Sequence, residues 1–100
     1  MNMHDINTIE SDNEATPENY YQAIQRAINS GTAWSFQGSY GRTMMDAISA
    51  GFCMLGTTSA RDYYGNRVPS RTEVQEGTKG SYEFVSRANG EYWADMMSNA

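Results

Sequence analysis

The sequence predicts a helix-rich α+β fold, a compact single domain of three or four helices with a small two-stranded sheet. Three observations carry this expectation. Apolar residues recur at helical spacing in two stretches that each close on a glycine, Tyr20 to Gly31 and Tyr40 to Gly51. A third stretch, residues 82–97, is rich in large apolar side chains. Between them lie short apolar runs of strand length. A chain of 100 residues with 39% hydrophobic content can bury one core. Residues 1–15 read as an irregular acidic lead-in without periodicity, and 16–100 as one globular domain.

The first helix is expected over residues 17–30. Thr16 can cap the free N–H groups of its first turn, and Pro17 suits a position whose N–H has no partner. Glu18 complements the positive end of the helix dipole. Tyr20, Ile24, Ala27 and Ile28 share one face, and Gly31 supplies a left-handed stop. Trp34 and Phe36 then alternate with small residues, as in a short strand. Gly38-Ser-Tyr-Gly41 leads into a second helix ending at Gly51, and Phe52-Cys-Met-Leu55 reads as a second strand or a buried turn. The matching order Tyr, aliphatic, Ala, Ile, Gly in both helices is explained by two amphipathic helices of equal length, since repeat folds need more copies.

Further on, Gly65-Asn66 marks a turn and Pro69 pushes Val68 towards extended backbone. Ser70 and Glu73 have capping-box spacing, which predicts a helical turn near 71–75. Residues 76–80 are a loop, and Ser81 caps a final helix that Asn89-Gly90 splits in two.

The net charge of −5 is unevenly distributed. Residues 1–33 carry five carboxylates against Arg26 alone, and 72–100 carry five against Lys79 and Arg87. Residues 34–71 reverse the balance, with four arginines against Asp46 and Asp62. Such a chain is poorly suited to gripping a phosphate backbone and favours a protein partner. No run reaches the roughly 20 apolar residues of a membrane span. With one cysteine and no visible export signal, the expected location is a reducing cytoplasm.

Catalytic chemistry finds little material. His4 is the sole histidine and falls in the lead-in, so no nucleophile–histidine pair can be built from the ordered domain. Cys53 sits among apolar neighbours and reads as a buried structural thiol. One Cys and one His cannot make a usual zinc site, and neither a metal nor another cofactor is expected. Gly77–Ser81 lacks P-loop order, and Gly38–Gly41 lacks the flanks of an RNA-clamping loop.

The stretch Arg61-Asp-Tyr-Tyr-Gly-Asn-Arg-Val-Pro-Ser-Arg71 stands out, with three of the seven basic side chains and two of the seven tyrosines. Arg and Tyr are enriched at binding hot spots and also stack on nucleobases. Three readings stay open at this point. In one, Tyr63 or Tyr64 packs in the core while the arginines pair with Asp62 and Glu73. The second is a protein interface, close behind the first, and the third is nucleic-acid contact, well behind both.

The runs GSYGRTMMDAI, GFCMLG, RDYYGNRVPSR and EGTKGS, taken in this order, resemble the sixth described family of type I-F anti-CRISPR proteins, over roughly residues 17–97. The resemblance implies a non-enzymatic phage inhibitor acting in the bacterial cytoplasm. Its partner would be the RNA-guided type I-F surveillance complex (the Csy form of Cascade), which it would keep from binding target DNA. No direct contact with nucleic acid, membrane or small molecule is implied. Combined with the residue chemistry, it makes Arg61, Tyr63, Tyr64, Arg67 and Arg71 the expected contact loop. Arg42 and the acidic Glu14 and Glu18 are secondary candidates. The rival expectations are an inhibitor or adaptor of another host complex, and a small nucleic-acid-associated protein that uses the Arg/Tyr loop directly.

Overall fold

The computed structural model describes residues 16–35 and 40–100. Thr16 and Pro17 open helix α1 (Pro17–Ser30) as their chemistry predicts, with the Thr16 side chain accepting the Asn19 N–H at 3.1 Å. Gly31 closes it at φ 77°, its N–H bonded to the Ile28 carbonyl. Helix α2 (Tyr40–Ser49) ends the same way at Gly51. The echo between the two helices has a packing cause: Ile24, Ala27 and Ile28 of α1 and Met44, Ala47 and Ile48 of α2 are all buried in one core. Burying each large aliphatic side chain contributes roughly 1.5–3 kcal/mol before the entropy of ordering is set against it.

The expected strand at Trp34–Phe36 does not form at Trp34. Residues Thr32–Ser35 wind a 3₁₀ turn that buries Ala33 and Trp34 together, which strand alternation would not allow. Phe36, Gly38, His4 and Glu14 lie outside the described residues.

Nor does the Phe52–Leu55 run join a sheet; it is a buried irregular segment. Its N–H groups find partners one by one: those of Phe52 and Cys53 bond the Ala47 carbonyl, that of Met54 the Gln25 side chain, and that of Leu55 the Gly80 carbonyl. The flanking carbonyls are met by side chains from across the fold. Asn89 Nδ2 donates to Gly51 at 2.7 Å, Trp93 Nε1 to Phe52 at 2.8 Å, and Arg71 Nε to Leu55 at 2.7 Å. Among the described residues no buried side-chain nitrogen or oxygen lacks a hydrogen bond.

The small sheet lies instead within the Arg/Tyr stretch. Strand β1 (Ala60–Arg61) pairs antiparallel with β2 (Arg67–Val68), with Ala60 opposite Val68 and Arg61 opposite Arg67. The Ser70–Glu73 pair forms half of a capping box: Glu73 Oε2 accepts the Ser70 N–H at 2.6 Å, while Ser70 Oγ turns to Thr72. A turn results, without a helix.

Helix α3 (Tyr82–Asn89) is capped by Ser81, whose Oγ accepts the Phe84 N–H at 3.2 Å. Gly90, at φ 96° and ψ 157°, breaks the helical path, and α4 (Glu91–Ser98) follows, packed against α3. Four helices, the 3₁₀ turn and the two-stranded sheet make a single α+β globule. No helix among the described residues is long and apolar enough to cross a membrane.

Candidate protein-interaction surface

The β1–β2 hairpin is built around one carboxylate. Asp62 Oδ1 accepts the N–H groups of Tyr64 at 2.9 Å and Asn66 at 2.8 Å, and the Asp62 N–H bonds the Asn66 carbonyl at 2.9 Å. The side chain replaces a backbone turn, which is what Asp does best in loops. Gly65 turns the chain at φ 84°, where a Cβ would meet nothing within 4 Å but would strain the backbone.

This frame projects Tyr63 and Tyr64, which meet edge to face with ring centroids 5.2 Å apart. They are 51% and 83% exposed, so neither packs in the core. Arg61 and Arg67 stand directly opposite each other in the ladder, a like-charge arrangement that is unfavourable unless each finds a partner. Arg67 pairs with Glu73, and Arg61 Nη1 donates to the Gly65 carbonyl at 2.9 Å. The Ser70 N–H, with Arg67 adding to it, holds the Glu73 carboxyl below its ordinary range. Arg61 has no carboxylate partner among the described residues.

Arg71 plays a different part. Besides bonding Leu55, it donates through Nη2 to Asn29 Oδ1 at 3.2 Å, and its own N–H bonds the Gly56 carbonyl. Burial lowers its pKa, yet an arginine remains charged far above neutrality. This side chain ties the end of the hairpin to α1 and to the buried segment. Arg42 is exposed on α2 and Glu18 is exposed in the first turn of α1, both off the hairpin. The structure therefore gathers Arg61, Tyr63, Tyr64 and Arg67 on one projecting element, and turns Arg71 inward.

Sequence reasoning missed what lies beside that element. A groove of about 380 Å³ runs between α2 and the hairpin, lined by Trp34, Ile48, Leu55, Val68, Pro69 and Val74, with the exposed Met45 also contributing. Asp62, Arg67 and Lys79 border it with charge. An apolar trough with a polar margin beside exposed aromatics has the composition of a binding patch. The Asp62-to-Asn66 spacing signals the turn, whereas the groove joins residues far apart in sequence and carries no local signature.

Cys53 is fully buried, its Sγ 3.4 Å from the Tyr21 carbonyl, and burial pushes its thiol pKa well up. Among the described residues no three His, Cys, Asp or Glu side chains are placed to hold a metal ion. Gly77–Ser81 is an ordinary turn, closed by the Ser81 N–H on the Thr78 carbonyl. The fold and this surface define a small α+β protein that presents a braced Arg/Tyr hairpin. No family model, curated protein or solved structure matches the chain.

Proposed function

We propose that this chain is a non-enzymatic inhibitor that binds the type I-F CRISPR surveillance complex in the bacterial cytoplasm and blocks target DNA binding. The hairpin is the docking element, seated on a protein subunit beside the path by which DNA enters. One observation carries the reading: two exposed tyrosines sit on a turn locked by Asp62, flanked by two arginines and an apolar groove. A rigid aromatic–arginine patch loses little entropy on binding, which is how a small interface reaches high affinity. The partner is proposed from the resemblance of the motif order GSYGRTMMDAI, GFCMLG, RDYYGNRVPSR and EGTKGS to the sixth described family of type I-F anti-CRISPR proteins.

A protein partner is favoured over nucleic acid by the charge bookkeeping of the hairpin. Of the stretch's three arginines, one is neutralised by Glu73 and another is bound into the fold. Of the three, that leaves only Arg61 to meet phosphates, on a chain of net charge −5.

The test is a target-DNA gel shift with purified type I-F complex. The intact chain abolishes the shifted band, while Tyr64→Ala and Arg67→Glu, each still folded by circular dichroism, inhibit more weakly. A hot-spot loss of about 2 kcal/mol corresponds to roughly 30-fold higher protein for the same effect. Unaltered DNA binding at saturating protein defeats the proposal. Salt-sensitive binding of the chain alone to DNA supports the nucleic-acid reading instead.

A further inference from the structure

Helix α2 separates two surfaces. Met45, Ile48 and Ser49 face the groove beside the hairpin, while Thr43, Asp46, Ala47 and Ala50 line a second pocket of about 290 Å³ on the side of α1. The two share no lining residue. The second pocket has Ile24 and Ala47, both buried, at its apolar base, and aromatic walls from Tyr20, Tyr21 and Phe52.

Those walls are firmly held. Tyr21 stacks on Phe52 with centroids 4.4 Å apart and 13° between planes, and Tyr20 meets Tyr21 edge-on at 5.0 Å. Trp93 braces Tyr21 and Phe52 from behind at 6.0 and 5.9 Å, and its indole N–H fixes the Phe52 carbonyl. Beside these rings stands the Asp46 carboxylate, exposed and without a hydrogen bond or ion pair among the described residues. Arg42, one turn earlier on the same helix, does not pair with it within 4.0 Å.

We infer that this pocket receives a lysine or arginine side chain from a protein partner, with Asp46 pairing the charge and the Tyr20, Tyr21 and Phe52 rings accepting the cation and its alkyl stem. Ring faces are electronegative and attract cations, and a guanidinium can stack on a ring while donating to a carboxylate. An anion would meet Asp46 repulsively. A wholly apolar group would strip water from the carboxylate without replacing its hydrogen bonds. A single exposed carboxylate adds at most about 1 kcal/mol, so a lone arginine side chain is held only weakly and the pocket works as one contact within a larger protein interface. The assignment does not depend on which complex the hairpin engages.

The ¹⁵N-labelled full chain is titrated with the peptide acetyl-Gly-Arg-Gly-amide, with acetyl-Gly-Gly-Gly-amide and spermidine as separate probes. Saturable amide shifts are expected for the arginine peptide at Thr43, Asp46, Ala47, Ala50 and Phe52. Asp46→Asn, a surface change that leaves the fold intact, weakens the apparent affinity about two- to fivefold. Shifts that fail to saturate, or that are equal for the glycine peptide, overturn the inference. So do shifts for the arginine peptide or spermidine spread equally over amides outside the pocket, which assign the effect to diffuse attraction of cations. An Asp46→Asn response identical to that of the unaltered chain overturns it as well.

Discussion

The carboxamide of Gln25 pairs with the backbone of Met54 in both directions: Nε2 donates to the Met54 carbonyl at 2.9 Å, and Oε1 accepts the Met54 N–H at 2.8 Å. Gln25 is fully buried, and its Nε2 also donates to Asn29 Oδ1 at 3.0 Å. A side chain on α1 thus performs for the central segment the task that a neighbouring strand performs in a sheet. Replacing it with Met keeps much of the volume but strands two buried backbone groups. Gln25→Met is expected to lower unfolding free energy by about 2–4 kcal/mol in urea melts, since each unpaired group costs about 1–3 kcal/mol. A change below about 0.5 kcal/mol, the usual range of surface substitutions, would mean that the pair is dispensable.

The hairpin arginines should separate by stability. Arg71→Ala removes bonds to Leu55 and Asn29 and is expected to cost about 1–3 kcal/mol. Arg67→Ala breaks only the exposed pair with Glu73 and should cost less than about 1 kcal/mol. Equal urea midpoints for the two variants would refute the inward role of Arg71.

Two glycines with the same sign of φ should respond differently to alanine. At Gly51, φ is 81° and an added Cβ would lie 2.5 Å from the Ala88 Cβ, so α3 must shift. At Gly65, φ is 84° but the space is open. Gly65→Ala is expected to cost about 1–3 kcal/mol of backbone strain, and Gly51→Ala that amount plus the steric penalty. Thermal melts of both variants check the order. A Gly51→Ala that melts no lower than Gly65→Ala would contradict the close approach of Gly51 to α3.

Alkaline stability should report on Tyr82. Its hydroxyl donates to Asp95 Oδ1 at 2.5 Å, and this hydrogen bond, with lesser help from desolvation and from the charges of Asp95, Glu91 and Glu83, raises its pKa from 10.0 to about 12. The fold therefore favours the protonated phenol. That contribution is complete below pH 10 and is lost as pH climbs towards 12. Urea midpoints measured across this window should fall more steeply for the unaltered chain than for Tyr82→Phe. Parallel pH profiles would show that the bond does not link α3 to α4.

Cys53 offers a probe of global opening. Fully buried and with its thiol pKa raised, it should resist alkylation in the folded chain and react promptly in denaturant. Rapid labelling of folded protein would contradict its burial.

The sequence by itself determined the features that rest on neighbours along the chain. The Thr16–Pro17 start, the Gly31 and Gly51 stops, the Ser81 cap and the break at Gly90 are all settled within a turn or two. So is the tight turn at Gly65, whereas the sequence left open whether Tyr63 or Tyr64 packs inside and the fold turns both outward. Tertiary structure decided the rest, because the deciding partners are distant. Phe52–Leu55 has strand composition, yet Gln25 stands 29 residues away and takes the place of a neighbouring strand. Trp34 alternates with small residues, yet the space between α1 and α2 rewards burying it beside Ala33 in a 3₁₀ turn. Arg71 looks like its neighbours Arg61 and Arg67 in sequence, but Asn29, 42 residues back, draws it inward. Local chemistry sets where a chain bends and caps; which polar group satisfies a buried backbone depends on what the fold brings within 3 Å of it.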